Sequence, residues 1–143
     1  MSTLIDRLLS LWLAPPADPA TAEAAFRAVY ADPLAVNDVT FTVADLVQRA
    51  YSLHTTYADL RSEPVDVVEA PGRLVVGFRM HGRHVGPLAT PFGTLAGTGR
   101  AVQIRVIDIL TVENGLVTGV WMISDDLDLL RQLIDDPTAI SLG

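Results

Sequence analysis

The stretch that decides the fold is Gly99–Leu133, GRAVQIRVIDILTVENGLVTGVWMISDDLDLLRQL. Ile104–Val112 is rich in β-branched residues, and its side chains are expected to alternate between two faces, as in a β-strand with one buried face. Asn114-Gly115 is a turn signal that leads into a second segment of strand-like residues. A leucine-rich segment from about Asp126 to Ile134 follows with helical spacing. This stretch is therefore predicted to form a β-hairpin followed by a helix.

Two carboxylates and a tryptophan are predicted to share one face of this hairpin. If Val112 pairs with Val117, antiparallel register places Asp108 opposite Trp121, with Asp125 further along the same face. The rest of that face is apolar. Because an ionised carboxylate is costly to bury alone, we expect Asp108 to be hydrogen-bonded, to line a cavity or to be partly protonated.

The composition predicts a single globular domain spanning residues 1–143. The chain has 143 residues, of which 50% are hydrophobic, and a formal net charge of −7. With no basic stripe to neutralise phosphates, nucleic acid is not expected as a partner. The absence of cysteine excludes disulfides, thiol nucleophiles and cysteine-based metal sites.

Metal and membrane sites are also not expected. None of the three histidines forms a convincing zinc-site spacing with nearby acids. No apolar run reaches the roughly 18 to 20 residues of a membrane helix, and the N-terminal apolar segment suits an amphipathic helix better than a signal peptide. We therefore expect a cytoplasmic protein with no membrane partner.

The N-terminal half predicts helices. Residues 3–13 form a first amphipathic stripe that ends at Pro15-Pro16, and residues 21–31 form a second helix of high alanine content. A short strand is predicted over Val36–Phe41. Thr42-Val43-Ala44-Asp45 has the spacing of a capping box that opens a third helix.

From Val65 onward the period changes to two, which predicts strands. A short strand is expected near residues 65–68 and a longer one over residues 74–84, where Phe78, Met80 and His84 share one side. Residues 86–99 are rich in Gly, Pro and Thr and contain Phe92, which suits a flap over a pocket.

Helices followed by antiparallel strands and a terminal helix indicate an α+β domain. A curved sheet closed by helices on one face encloses a cone, and the mouth of the cone is a natural ligand site.

Several motifs along the chain together resemble the SnoaL-like polyketide cyclase family of the NTF2-like superfamily. The resemblance is carried by the order and spacing of Tyr57-Ala58-Asp59-Leu60-Arg61, Met80-His81-Gly82-Arg83-His84-Val85-Gly86, Gly99-Arg100, Val106-Ile107-Asp108-Ile109, Asn114-Gly115, Trp121, Asp125 and Leu129-Leu130-Arg131-Gln132-Leu133. It covers roughly residues 21 to 134.

The resemblance implies a cone-shaped α+β fold, usually dimeric, that needs neither a metal nor an organic cofactor. Cyclases of this family close a ring of an aromatic polyketide by intramolecular aldol condensation. Asp125 resembles the acid/base aspartate of the family, Asn37 its pocket asparagine, and His84 the histidine of its central strand. A pocket histidine that some cyclases carry before the Asn-Gly turn is absent, and Asp108 is the nearest ionisable residue.

The chain departs from its relatives at Gly97-Thr98-Gly99-Arg100, where many carry a Pro-Thr-Gly-Arg segment. Two glycines in this segment predict a more mobile flap. The change at Gly97-Thr98-Gly99-Arg100 leaves the shape of the substrate open. A second departure is Val120, which precedes the tryptophan at a position that is commonly polar in relatives.

Each candidate residue also has a structural interpretation. Asp125 is well placed to cap the last helix, Asp108 to pair with Arg100, Arg79 or a backbone amide, and His84 to be a hydrogen-bonded core residue. The remaining candidates are predicted to contact substrate: Asn37, Trp121, Tyr57, Phe78, Met80 and Phe92.

Three functions are consistent with these residues. The first is a cofactor-independent acid/base enzyme of polyketide and antibiotic biosynthesis, in which Asp125 removes a carbon-bound proton and His84 stabilises the oxyanion. The second uses Asp108 and Asp125 to open an epoxide or form an ether ring. The third is a non-catalytic dimer that binds a small apolar ligand.

Overall fold

The computed structural model describes residues 3–135, in which four helices and eight strands are present. Their bounds are α1 Thr3–Leu13, α2 Pro19–Arg27, β1 Tyr30–Val36, β2 Val39–Phe41, α3 Val43–Thr56, β3 Tyr57–Ala70, β4 Arg73–His84, β5 Leu88–Thr90, β6 Gly93–Leu95, β7 Ala101–Glu113, β8 Leu116–Ser124 and α4 Asp126–Leu133. None of the helices in this part of the chain has the length and apolar content needed to cross a membrane.

Six strands form one curved sheet in the order β2-β1-β8-β7-β4-β3. The predicted α+β cone is confirmed, with one difference: β1 runs parallel to β8, while the other pairs are antiparallel. β5 and β6 form a separate two-stranded hairpin. The parallel β1–β8 pair makes the large sheet mixed. The β1–β2 hairpin lies at one edge of this sheet, and α3 connects it to β3 at the opposite edge.

The N-terminal elements differ from prediction at two places. The second helix ends at Arg27, so Tyr30 begins β1 and does not belong to the helix. Val36–Phe41 is not one strand, because Asn37 and Asp38 adopt positive φ angles of 48° and 65° and turn the chain between β1 and β2. Asn and Asp tolerate this conformation better than most residues.

The predicted capping box is confirmed. The Asp45 backbone N–H donates to Thr42 Oγ1 at 3.1 Å, and the Thr42 N–H donates to Asp45 Oδ2 at 2.9 Å. The Thr42 backbone N–H and the Thr42 side chain, which both bond the Asp45 carboxylate, hold the pKa of Asp45 below its ordinary value. The capping box fixes the start of α3, and α3 leads directly into β3 at Tyr57, eight residues before the predicted start of that strand.

The inner face of the sheet is the face that the helices cover. On β7 it carries Val102, Ile104, Val106, Asp108 and Leu110, all buried. A larger core cluster joins α1, α2, α3 and β1 to the part of this face around Leu110. A smaller cluster joins α4 and Tyr57 to the part around Val106. Phe78 packs against both clusters.

A β-bulge in β8 overturns the predicted face of the hairpin. Val112 pairs with Val117, as predicted, but Thr111 pairs with Gly119, so Thr118 is an extra residue on β8. Beyond a single extra residue, inward and outward positions exchange. Trp121 consequently lies opposite Ile109 on the outer face, where it is 56% exposed, and does not share a face with Asp108.

Candidate functional site

Asp108 lies where the two core clusters meet. Its neighbours on the inner face of β7 are Leu110, which belongs to the larger cluster, and Val106, which belongs to the smaller one. Its cross-strand neighbours are Val76 on β4 and Met122 on β8. We call this region, formed by Asp108 and the inner-face residues around it, the junction site.

The carboxyl group of Asp108 is almost surrounded by apolar atoms. The residue is 7% exposed, and its Oδ1 atom has no hydrogen-bond partner among residues 3–135. Burial raises the pKa of Asp108 from 3.8 to about 7. A carboxyl group in this state can gain or lose a proton near neutral pH, as a general acid or base must.

The arginines expected as partners of Asp108 are engaged elsewhere. Arg79 lies 3.6 Å from Glu63, and Arg100 pairs with Asp135 at 2.5 Å and donates to the Gln132 carbonyl at 3.2 Å. The described residues provide no cation that neutralises Asp108. Its high pKa therefore has one cause, which is the loss of water around the carboxylate.

Three large apolar side chains share the inner face beside Asp108. Phe78 stands opposite Val106 and Met80 opposite Ile104, on the side of β4 that the sequence predicted. Both are half-buried. Met122, directly opposite Asp108, is 38% exposed. The inner face is thus apolar here, and at Met122 it is partly exposed to solvent.

Tyr30 also belongs to the surroundings of Asp108, although its sequence position did not indicate a site. Its hydroxyl oxygen accepts a hydrogen bond from Trp12 Nε1 at 2.8 Å, and the residue is 4% exposed. Burial and, to a lesser degree, the charge of Asp108 raise the pKa of Tyr30 well above its ordinary value. The sequence pattern marked Tyr30 only as an apolar helix residue, because the end of α2 has no strong stop signal.

Asp125 is the N-cap of α4, which is the structural one of its two predicted roles. Its Oδ1 accepts from the Asp128 N–H at 3.2 Å, and its Oδ2 accepts from the guanidinium of Arg105. Arg105 extends from the outward-facing side of β7. The bulge in β8 removes Asp125 from the face that holds Asp108, which corrects the predicted shared face.

His84 is fully buried but lies at the far end of β4. Eight residues separate it from Val76, the β4 neighbour of Asp108, which corresponds to about 26 Å along an extended strand. Its Nδ1 accepts from the Thr98 N–H at 3.3 Å and lies 3.1 Å from Thr98 Oγ1. Nε2 has no partner among residues 3–135. The structure therefore does not bring His84 and Asp108 into one site.

His84 fastens the segment Gly97–Arg100, which the two glycines led us to expect as mobile. The Gly99 N–H donates to the His84 carbonyl at 2.6 Å, and the His84 N–H donates to the Arg100 carbonyl at 2.8 Å. A Cβ on Gly97 would lie 2.1 Å from the Val85 carbonyl oxygen. The glycine at position 97 thus permits close packing of this segment against β4.

The other predicted contact residues take separate positions. The Asn37 side chain accepts from the Met122 N–H at 2.9 Å and donates to the Met122 carbonyl at 3.3 Å, which prolongs the pairing of β1 with β8. Tyr57 is buried with its ring 6.0 Å from that of His84, and burial and the charge of Asp126 raise its pKa to about 12. Phe92, in the turn between β5 and β6, is 56% exposed.

Trp121 lines a shallow groove on the outer face of the sheet. The groove has a volume of about 320 Å³ and includes Asp38, Arg73 and Ile109 among its lining residues. It lies on the opposite side of the sheet from the junction site. Within residues 3–135, no cluster of three or more His, Asp or Glu side chains is arranged to hold a metal ion.

Comparison with known proteins identifies one family. The sequence model of the SnoaL-like polyketide cyclase family matches residues 3–133. No match to the chain was found among curated proteins.

Solved structures share the fold at low sequence identity. TsrD from Streptomyces laurentii is 23% identical, with a TM-score of 0.75 and 91% of each chain covered. A SnoaL-like polyketide cyclase from Agrobacterium tumefaciens is 21% identical, with a TM-score of 0.72, covering 94% of this chain and 100% of that one. A protein of ketosteroid isomerase-like fold from Catenulispora acidiphila is 9% identical, with a TM-score of 0.67 and 93% of each chain covered.

Proposed function

Since this chain belongs to the SnoaL-like polyketide cyclase family, we propose that it is a cofactor-independent acid/base enzyme of polyketide biosynthesis. Its reaction would close a ring of a polyketide-like substrate by intramolecular aldol condensation. The observation that carries this proposal is the state of Asp108, a buried carboxyl group with an unpartnered oxygen and a pKa of about 7. A buried carboxyl group with a purely structural role is expected to have a hydrogen-bond or ion-pair partner that stabilises it. Asp108 Oδ1 has no such partner among the described residues.

In the proposed reaction Asp108 acts first as a base and then as an acid. Its carboxylate takes a proton from a carbon between two carbonyl groups, and the electron pair of the broken C–H bond forms an enolate. The enolate carbon attacks a second carbonyl carbon of the same chain. The new alkoxide then takes the proton back from the carboxyl group of Asp108, which regenerates the carboxylate.

The apolar inner face supports this chemistry in two ways. Exclusion of water keeps the carboxylate poorly solvated and therefore basic. Phe78, Met80 and Met122 offer broad, adaptable surfaces on which a flexible apolar chain can fold with its reacting carbons close together. Holding two groups of one chain together lowers the entropy cost of ring closure.

Asp125 has a different part in this proposal from the one that the family resemblance implied. Both of its carboxylate oxygens are occupied, one by the backbone of α4 and one by Arg105. Asp125 would fix the connection between β8 and α4. It would thereby hold Leu129 of α4 in the smaller core cluster. Asp125 is a suitable control for Asp108, because each of its carboxylate oxygens accepts a hydrogen bond.

A defined test of Asp108 as a base uses 5-nitrobenzisoxazole. A base removes its C3 proton, the ring N–O bond breaks, and the coloured cyanophenolate product is followed by absorbance. We expect wild-type protein to exceed acetate at an equal carboxylate concentration, and Asp108→Asn to lose about 100-fold of the protein-catalysed rate. Asp125→Asn should keep its rate within about threefold.

Two results would contradict the assignment. A wild-type rate no greater than that of acetate would show that Asp108 is not an accessible base. An Asp108→Asn variant with full activity would place the chemistry elsewhere. Loss of activity in Asp125→Asn alone, with its fold intact, would favour the role that the family resemblance implied for that residue.

We further propose that a second copy of the chain covers the outer face of the sheet. This face carries two exposed cross-strand pairs, Ile107 with Ile123 and Ile109 with Trp121. Two pairs of charges near it, Arg105 with Asp125 and Arg79 with Glu63, are ion-paired within the chain, and Arg73 and Asp38 line the groove beside Trp121. An exposed apolar patch with charges of both signs around it suits another copy of itself better than a partner of a single charge.

A further inference from the structure

The Trp12–Tyr30 hydrogen bond determines where the tyrosine proton can go. An indole N–H is only a donor, so the Tyr30 oxygen is the acceptor at 2.8 Å. The tyrosine's own proton must therefore point to another group. Among residues 3–135, no acceptor of that proton is present. Tyr30 is thus a buried donor with its oxygen held in place and its proton available.

Tyr30 packs in the part of the core that borders the junction site. Tyr30 belongs to the larger core cluster together with Leu110, the inner-face neighbour of Asp108. The cluster also contains Val76, the cross-strand neighbour of Asp108 on β4, and the charge of Asp108 makes a smaller contribution than burial to the raised pKa of Tyr30. The ring stacks on Phe26 at 5.9 Å between centroids, which restricts its movement. The ring is therefore held by Phe26 and the hydroxyl by Trp12.

The chemistry of the proposed reaction needs such a donor. Removal of a carbon-bound proton places negative charge on the carbonyl oxygen, and in an apolar pocket that oxygen is costly without a hydrogen bond. Asp108 cannot serve as the only partner, because it is occupied with the transferred proton. His84, the donor that the sequence suggested, lies at the far end of β4.

We propose that the Tyr30 hydroxyl, held in place by Trp12, donates a hydrogen bond to the substrate oxygen that becomes negatively charged beside Asp108. This inference rests on the proposed function. Tyr30 would be a catalytic residue, since it touches the reacting oxygen, and Trp12 a positioning residue that acts through Tyr30. The substrate must therefore carry a carbonyl group directly adjacent to the carbon that loses its proton.

Binding of two matched probes tests this contact without any turnover. 4-Nitrophenol presents a hydroxyl or phenolate oxygen, and 4-nitrotoluene has nearly the same shape without that oxygen. Isothermal titration calorimetry of wild type, Tyr30→Phe and Tyr57→Phe gives the dissociation constants. We expect Tyr30→Phe to weaken 4-nitrophenol binding about tenfold or more and to leave 4-nitrotoluene binding within twofold. Tyr57→Phe, at the other buried tyrosine, should change neither.

The tryptophans provide a second pair of variants in case Tyr30→Phe does not fold. Trp12→Phe leaves Tyr30 in place but removes its fixed partner, and it should weaken only 4-nitrophenol binding, by about two- to fivefold. Trp121→Phe, on the outer face, should weaken neither probe.

The proposal is overturned if Tyr30→Phe weakens both probes equally or neither of them, or if wild type binds neither probe. Its failure is separable from failure of the proposed function. If Tyr30→Phe weakens only 4-nitrophenol binding but 5-nitrobenzisoxazole is not converted by Asp108, the Tyr30 contact is supported and the proposed reaction is contradicted. The converse result would leave Asp108 as a base that works without Tyr30.

Discussion

Asp108 stands directly opposite Met122 across the β7–β8 hairpin, and Trp121 points to the other side of the sheet. The cause is Thr118, the one extra residue that the bulge inserts in β8. Because of it, the neighbour of the buried carboxyl group is a flexible thioether and not a rigid indole. The inner face beside Asp108 is thereby left partly open, and the outer face gains the largest aromatic surface of the hairpin.

Stability should depend on pH through Asp108. Its pKa is raised by burial in the folded state, from 3.8 to about 7, so between these values the folded protein holds a proton that the unfolded chain has lost. The free energy of unfolding should therefore fall as pH rises from about 4 to 7, by up to about 4 kcal/mol. Urea unfolding at a series of pH values measures this slope.

The Asp108→Asn variant isolates the contribution of this one residue. Its stability should lack the downward slope, whereas Glu69→Gln, at an exposed position on β3, should keep it. Equal slopes in wild type and Asp108→Asn would mean that Asp108 titrates with an ordinary pKa and is not the poorly solvated group described here.

The rate of the base reaction should have the opposite pH dependence. The reaction needs the ionised form of Asp108, so kcat/KM for 5-nitrobenzisoxazole should rise with pH and level off above a pKa near 7. Asp108→Glu should keep a rise of this kind at a reduced rate, because the longer side chain misplaces the carboxylate. A profile that is flat between pH 5 and 9 would contradict Asp108 as the base.

Replacement of His84 should loosen the segment that leads into β7. His84→Leu removes the acceptor of the Thr98 N–H and leaves that donor buried, at a cost of about 1 to 3 kcal/mol. Chymotrypsin cleavage near Phe92, in the preceding hairpin, should become several-fold faster. His81→Leu is the matched control, since His81 contacts Glu63 on β3 and not this segment. Equal cleavage rates in the two variants would refute the fastening role of His84.

The outer face should control the oligomeric state. Ile109→Lys places a charge at the centre of the proposed interface and should convert a dimer to a monomer, as measured by light scattering on a sizing column. Leu127→Lys, at an exposed position on α4 and away from the outer face of the sheet, is the control and should leave the mass unchanged. A monomeric wild type at micromolar concentration would rule out the proposed dimer.

Local signals account for the parts of the fold that were predicted correctly. The Thr42 to Asp45 capping box, the Asn114-Gly115 turn and the alternation of β7 each depend on residues within a few positions of one another. The burial of Asp108 followed from that alternation alone, because within one strand the side-chain period is two. The family resemblance likewise came from the order of such local motifs, and the match over residues 3–133 confirms it.

Only the tertiary structure decided which residues meet. The bulge at Thr118 depends on how β8 pairs with β1 and β7 together, and it moved Trp121 and Asp125 away from the face of Asp108. His84 and Asp108 share a face but are far apart along the sheet, a separation that period-two counting does not measure. Tyr30 shares the larger core cluster with Leu110 and accepts a hydrogen bond from Trp12 on α1, contacts between segments far apart in the chain. The sequence by itself determined one buried carboxyl group, and long-range packing determined its neighbours.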